Sequence, residues 1–167
     1  MLRIGILTIS DKGSRGERED FSGPAIQESL ARIARVVQSE IIPDEKPLIS
    51  QKLADWADSA RIDIIITTGG TGLAPRDVTP EATKAILDKE VPGIAEAMRA
   101  GSLHHTPMAM LSRSVSGIRA KCLIINLPGS PKAVKECLEI IQPALTHAIE
   151  IMIGQVTEHT PQAKGKS

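Results

Sequence analysis

Tyrosine is absent from this chain, and phenylalanine and tryptophan occur once each. A surface that reads unpaired nucleobases needs aromatic faces on which to stack them, so nucleic acid is a poor partner for this sequence. Charge of one sign is lacking too. Twenty Lys and Arg residues cancel twenty Asp and Glu residues, and no run of five like charges occurs, which argues against an undirected polyanion binder or an anionic membrane surface. Cysteine is scarce: Cys122 and Cys137 form no CxxC pair and cannot supply the four ligands of a structural zinc site. Both lie in apolar segments and are expected as small buried thiols. No apolar run reaches ~18 residues and no signal-like stretch precedes the first apolar segment, so a cytoplasmic protein without a membrane span is expected.

What is present has the proportions of one ordinary domain. The 167 residues are 41% apolar and 24% charged, near the globular average. Residues 1–155 are read as the folded domain and 156–167, polar and without periodicity, as a disordered C-terminal tail.

Short β-branched runs alternate with helical patterns. "LRIGILTIS", "RVVQSEII" and "IDIIITT" read as strands, the first and third apolar enough to be buried on both faces. "DKGSRGEREDFSG" reads as a loop leading to a helix whose first turn holds Pro24. Pro47 opens a second helix running to about Ala60. Thr79 and Pro80 read as N-cap and first residue of another, with Glu81 at its positive end. A further helix is expected from Pro92 to about His104. "SRSVSGIRAKCLIINLPG" holds two extended runs with a turn near Ala120 and Lys121. Ser130 and Pro131 repeat the cap-and-proline start, and a separate last amphipathic stretch is expected from Pro143. The pattern predicts a three-layer α/β/α sandwich on a mostly parallel sheet with one antiparallel hairpin.

Ligands of such sheets sit beyond the carboxyl ends of the strands. Four polar segments fall there: Ser10-Asp11, "IIPDE", "TTGGTG" and "NLPGSP". Gly69, Gly70 and Gly72 let a backbone turn tightly and approach a phosphate, although the string is neither a P-loop nor a dinucleotide fingerprint. Gly129 with Ser130-Pro131 would aim helix N-terminal amides at an anion. Carboxylates beside phosphates need a cation between them, and Asp44 and Asp77, with Asp11 as a third member, are candidate Mg²⁺ ligands. Arg76 either answers phosphate charge or pairs with a nearby Asp, and Arg113 and Ser114 offer similar groups. The pair His104-His105 has no third ligand nearby and is read as surface or packing.

"IIPDE", "TTGGTGLAPRDVTPEATKAIL" and "VPGIAEAMRAGSLHHTPMAMLSRSVSGIRAKCLIINLPGSPKAVKEC", taken together, strongly resemble the molybdopterin adenylyltransferase family, which includes stand-alone bacterial enzymes and the G domains of gephyrin and its plant counterpart. The resemblance covers about Leu2 to Ile153. It implies the molybdopterin-binding fold, a homotrimer, and adenylyl transfer from Mg-ATP to the terminal phosphate of molybdopterin with release of pyrophosphate. The product would pass to a separate molybdate-insertion protein. By resemblance, Asp44 and Asp77 are the essential acidic positions, and Gly69, Gly70, Thr71 and Gly72 the pocket loop. Ser10, Asp11, Ser114, Asn126, Pro128, Gly129 and Ser130 fall on stretches lining the site. A non-catalytic pterin-binding or trimeric scaffold module of the same fold is the alternative.

Overall fold

The three β-branched runs, with the segment Cys122–Leu127, form the parallel part of a six-stranded sheet in the computed structural model, which describes residues 1–155. The tail expected at 156–167 lies outside the described residues. In chain order the elements are β1 (Leu2–Ile9), α1 (Asp11–Ser14), α2 (Ser22–Leu30), β2 (Ala34–Ile42), α3 (Lys46–Asp58), β3 (Ile64–Thr68) and α4 (Thr79–Lys84). There follow β4 (Lys89–Glu90), α5 (Pro92–Ser102), a 3₁₀ turn (Pro107–Leu111), β5 (Ser116–Arg119), β6 (Cys122–Leu127) and α6 (Pro131–Met152).

The strand order is β2-β1-β3-β6-β5-β4. The first four strands are mutually parallel, and β5 runs antiparallel to β6 through the turn the sequence predicts. The structure adds β4, two residues pairing with the outer edge of β5. From β1 the chain first steps to β2 and then returns across β1 to β3, so the strand order reverses between β1 and β3. That is where an open α/β sheet splays its connecting loops into a crevice.

Alternation along the central strands fills two separate cores, because successive side chains of a strand point to opposite faces. Ile4, Ile6, Ile64, Ile66, Leu123 and Ile125 face α2, α5 and α6. Leu7, Ile9, Ile65 and Ile124 face Ile49, Leu53 and Trp56 of α3 and Ala82 of α4. Both cysteines are buried and free of any disulfide, as expected. No helix among the described residues is long and apolar enough to cross a membrane.

Three local readings need correction. The loop expected after β1 begins with a single helical turn, α1, whose start is capped by Ser10 Oγ accepting from the Gly13 amide at 3.0 Å. Thr79 is not the N-cap of α4 but its first residue, following Val78, because its hydroxyl is committed to the Gly69 carbonyl at 3.0 Å. The two stretches expected around Pro143 are one helix of 22 residues. A proline inside a helix costs about 3 kcal/mol. Here Pro143 is exposed, while Val134, Leu138, Ile141, Leu145 and Ile149 keep one buried stripe on either side of it. Burying Leu145 and Ile149 at roughly 1.5–3 kcal/mol each offsets that cost.

Candidate functional site

The four carboxyl-end segments converge on one rim, where two adjoining cavities of about 640 and 530 Å³ open. Gly69, Gly70, Asp77, Gly129 and Ser130 line both. The larger cavity is mostly apolar, with Met98, Met108 and Leu111 among its walls and Arg99 as the one basic side chain among its described lining. The smaller one is polar and acidic, with Asp44, Asp20 and Glu19 beside Arg18.

The glycine loop departs from β3 with φ of +98° at Gly69 and +67° at Gly70, a left-handed conformation that side chains other than glycine resist. Space forbids a side chain as firmly as the dihedrals do. A Cβ on Gly69 would sit 2.3 Å from the Ile9 carbonyl oxygen, and one on Gly70 2.2 Å from Thr79 Oγ1 and 3.1 Å from Asp44 Oδ1. A Cβ on Gly72 would crowd Asp77 Oδ2 at 2.9 Å. What the glycines chiefly admit, then, is the protein's own β1 end, α4 start and candidate catalytic carboxylates. Gly129 differs, since a Cβ there would make only ordinary contact with Gly69 Cα at 3.5 Å.

The loop is closed by its own hydrogen bonds. The Gly69 amide donates to the Leu127 carbonyl (3.2 Å) and the Thr79 amide to the Gly70 carbonyl (3.1 Å). Asp77 Oδ2 accepts from the Ala74 amide at 2.9 Å, which turns the aspartate back across its own loop. Thr68 Oγ1 donates to the Pro128 carbonyl at 2.7 Å, fastening the segment after β6 beside the glycines. Ser22 Oγ donates to the Gly129 carbonyl at 2.7 Å. Ser130 Oγ caps α6 by accepting from the Ala133 amide at 3.1 Å. The N-terminus of this 22-residue helix therefore faces the shared wall, with the partial positive charge that attracts anions.

Asp11 and Asp44 grip each other's backbone. The Asp11 amide donates to Asp44 Oδ2 at 2.9 Å, and the Asp44 amide to Asp11 Oδ1 at 3.0 Å. Arg76 fixes this clasp from outside, binding both Asp11 carboxylate oxygens (2.5 and 3.0 Å) and Glu45 (3.0 Å). Its guanidinium holds the Asp11 carboxyl below the usual carboxylate range. Arg76 thus pairs with carboxylates instead of lining either cavity. Asp44 is the opposite case: burial pushes its carboxyl up, its bond to the Asp11 amide resists, and the neighbouring Asp11 and Asp77 charges push it up further. Arg76 pulls the other way through its charge, but its guanidinium reaches only the Asp44 carbonyl, at 3.2 Å, and pairs with the Asp11 and Glu45 carboxylates instead.

Most residues singled out in the sequence meet here. Asp44, Asp77, Ser10, Gly69, Gly70, Thr71, Gly72, Ser114, Pro128, Gly129 and Ser130 all line one or both cavities. Asp11 and Arg76 stand just behind the wall. Asn126 is the exception: fully buried, it donates to Thr67 Oγ1 (2.9 Å) and Thr83 Oγ1 (3.0 Å) and does not reach the cavities. His104 and His105 are exposed, His105 lying 3.9 Å from Glu136. Sequence reasoning missed Arg18, Asp20 and Arg99. For Asp20 a signal existed in "DFSGP", where an aspartate precedes a helix start: its Oδ1 accepts from the Ser22 and Gly23 amides at 3.0 Å each. Among the described residues no three His, Cys, Asp or Glu side chains converge as a self-sufficient metal site.

Residues 5–147 match the family model described as "Probable molybdopterin binding domain". The chain is 46% identical to the molybdopterin adenylyltransferase of Helicobacter pylori strain J99, over 97% of this chain and 96% of that one. It is 41% identical to the molybdopterin adenylyltransferase of Escherichia coli K12, over 96% and 90%. Among solved structures, the molybdopterin biosynthesis enzyme MoaB of Thermus thermophilus superposes with a TM-score of 0.87 at 55% identity, covering 92% of this chain and 98% of that one. The tungsten cofactor synthesizing protein MoaB of Pyrococcus furiosus superposes at 0.82 with 38% identity, over 90% and 96%.

Proposed function

This chain belongs to the family of molybdopterin-binding domains, and on that premise we propose that it is a molybdopterin adenylyltransferase. The reaction is nucleotidyl transfer: an oxygen of the terminal phosphate of molybdopterin attacks the α-phosphorus of ATP. One P–O bond forms, the bond to the β-phosphate breaks, and adenylyl-molybdopterin and pyrophosphate leave. The nucleophile belongs to the substrate, so no Ser-His-Asp or Cys-His arrangement is required of the protein.

The observation that carries the proposal is the meeting of Asp44 and Asp77 on one acidic cavity, against glycines 70 and 72 and beside the α6 N-terminus. Two phosphate groups repel as they approach, and preorganised donors and cations must offset that repulsion. The residues fit a magnesium ion. Each aspartate gives Oδ2 to a backbone amide and leaves Oδ1 available, and Mg²⁺ characteristically takes one or two carboxylates together with phosphate oxygens. Bound there with ATP, the ion would screen phosphate charge. The chain itself would orient the phosphates through the α6 amides, with Ser10 and Ser130 at the cavity wall. The apolar cavity next door suits the flat pterin, and the shared wall would bring the two substrates side by side.

The family resemblance further supports a homotrimer that hands its product to a separate molybdate-insertion protein; sedimentation of the purified protein tests the first part. The activity is tested by incubating the protein with molybdopterin, ATP and Mg²⁺. Pyrophosphate and the adenylylated pterin are expected together, and Asp77→Ala is expected to fold while losing at least ~100-fold in rate. Pterin binding without pyrophosphate release would mark a non-catalytic module.

A further inference from the structure

Arg113 lies in the connection between the 3₁₀ turn and β5 and lines neither cavity. Its side chain nevertheless points at the loop that carries Asp77. Nε donates to the Gly72 carbonyl at 2.8 Å, Nη2 to the Asp77 carbonyl at 2.7 Å, and Nη1 to the carboxylate of Glu81 in the first turn of α4. Its own amide donates to the Thr71 carbonyl at 3.0 Å. One planar guanidinium therefore spans both ends of the segment 72–77 and locks them to the following helix.

The two carbonyls are the ends of the turn that folds Asp77 back onto the Ala74 amide. Without a donor between them, they would have to separate or take up water, and the aspartate would swing with them. Lysine cannot replace the fork, since an ammonium is a single point of charge with no planar pair of donors. Arg76 acts on the other side of the loop, where its guanidinium binds Asp11 and Glu45.

We infer that Arg113 is a positioning residue that acts through Asp77: it clips the 72–77 loop so that the Asp77 carboxylate is held at the wall shared by the two cavities. This rests on the adenylyltransferase reading for its kinetic consequence, though not for its structural one. An arginine beside a phosphate site is ordinarily read as an anion ligand. Here all three guanidinium nitrogens donate to the protein, and the charge is balanced by Glu81.

The experiment compares wild type, Arg113→Lys, Asp77→Asn and the double variant. Misplacing a reacting group by ~1 Å costs on the order of 100-fold, so R113K is expected to lower kcat ~10–100-fold while leaving KM for ATP and for molybdopterin within about twofold. In the D77N background the same substitution is expected to cost less than about twofold, because its route of action is already gone. Guanidinium ion at millimolar concentration is expected to restore part of the kcat of R113A, which a general loss of folding would not permit. A readout independent of activity is tryptic cleavage after Arg76, followed by mass spectrometry, with R113K expected to be cut at least ~5-fold faster as the loop opens. If wild type makes no adenylylated pterin, the functional reading fails while the tryptic assay still tests the clip. Unchanged cleavage, unchanged kcat in R113K, or a loss that adds fully to that of D77N would each overturn the inference.

Discussion

Replacing Asn126 by alanine separates a site residue from an internal tie. The family resemblance puts Asn126 on a stretch lining the site; the structure buries it completely between Thr67 of β3 and Thr83 of α4. Its two good hydrogen bonds are worth about 1 kcal/mol each. Its Oδ1 also receives the Val115 amide at a long 3.4 Å, so truncation leaves a poorly satisfied donor and a small void, adding about 1–2 kcal/mol. The total is about 3–4 kcal/mol, which at roughly 2–4 °C per kcal/mol for a chain of this size lowers Tm by about 6–16 °C. Urea denaturation with differential scanning calorimetry measures the loss, and adenylylation kinetics well below the lowered Tm measure the rest. KM for both substrates is expected to stay within about twofold. Asn126→Asp supplies a sign check: an ionised carboxylate in this interior is disfavoured, so the N126D variant should lose more stability at pH 8 than at pH 5. An unchanged Tm, or a tenfold rise in KM with Tm intact, would refute the reasoning and return Asn126 to the ligand-binding set.

Other perturbations follow from the same geometry. Asp44→Asn should abolish ~99% or more of adenylylation yet raise stability by about 1 kcal/mol. Burial has raised the folded-state pKa of Asp44, so its ionised form opposes folding at neutral pH, and urea melts at pH 7.5 check the rise. Gly70→Ala should cost about 2–3 kcal/mol in the same melts: about 1–2 for the left-handed backbone and about 1 for the displaced Thr79 hydrogen bond. Burial pushes the Asp63 carboxyl up, but hydrogen bonds from the Arg3 side chain and amide outweigh it and leave the folded pKa depressed. The stability gap between wild type and Asp63→Asn should therefore be full above about pH 4, the unfolded value, and close as pH falls through the lower folded value. A gap that persists in acid would contradict that assignment.

The strands around the site were legible because they need little context. Runs such as "IDIIITT" are apolar on both faces, and only a central parallel strand buries both. The convergence of Ser10, Asp44, Gly70 and Gly129 followed from topology alone, since parallel strands bring their carboxyl ends to one edge. Contacts between distant positions were not legible. Arg76 finds Asp11 across 65 residues and Arg113 finds Gly72 across 41, and nothing in either neighbourhood marks those partners. The glycines were visible as a turn, but the reason for Gly69, the Ile9 carbonyl, appears only when β1 and β3 are side by side. Single-turn α1 lacks the length over which periodicity can show, and Pro143 reads as a helix start until the buried stripe is seen to run straight past it.

Gly69, Gly70, Asp77, Gly129 and Ser130 border both compartments, so on the proposed reading, with nucleotide in one and pterin in the other, no change at these five positions would be confined to one substrate. A variant selected for a different nucleotide would disturb pterin affinity at the same stroke. Freedom to diverge lies instead at the outer walls, with Arg18 and Phe21 on one side and Met108 and Leu111 on the other. Substrate preference in this fold should therefore drift at its periphery while the partition stays fixed.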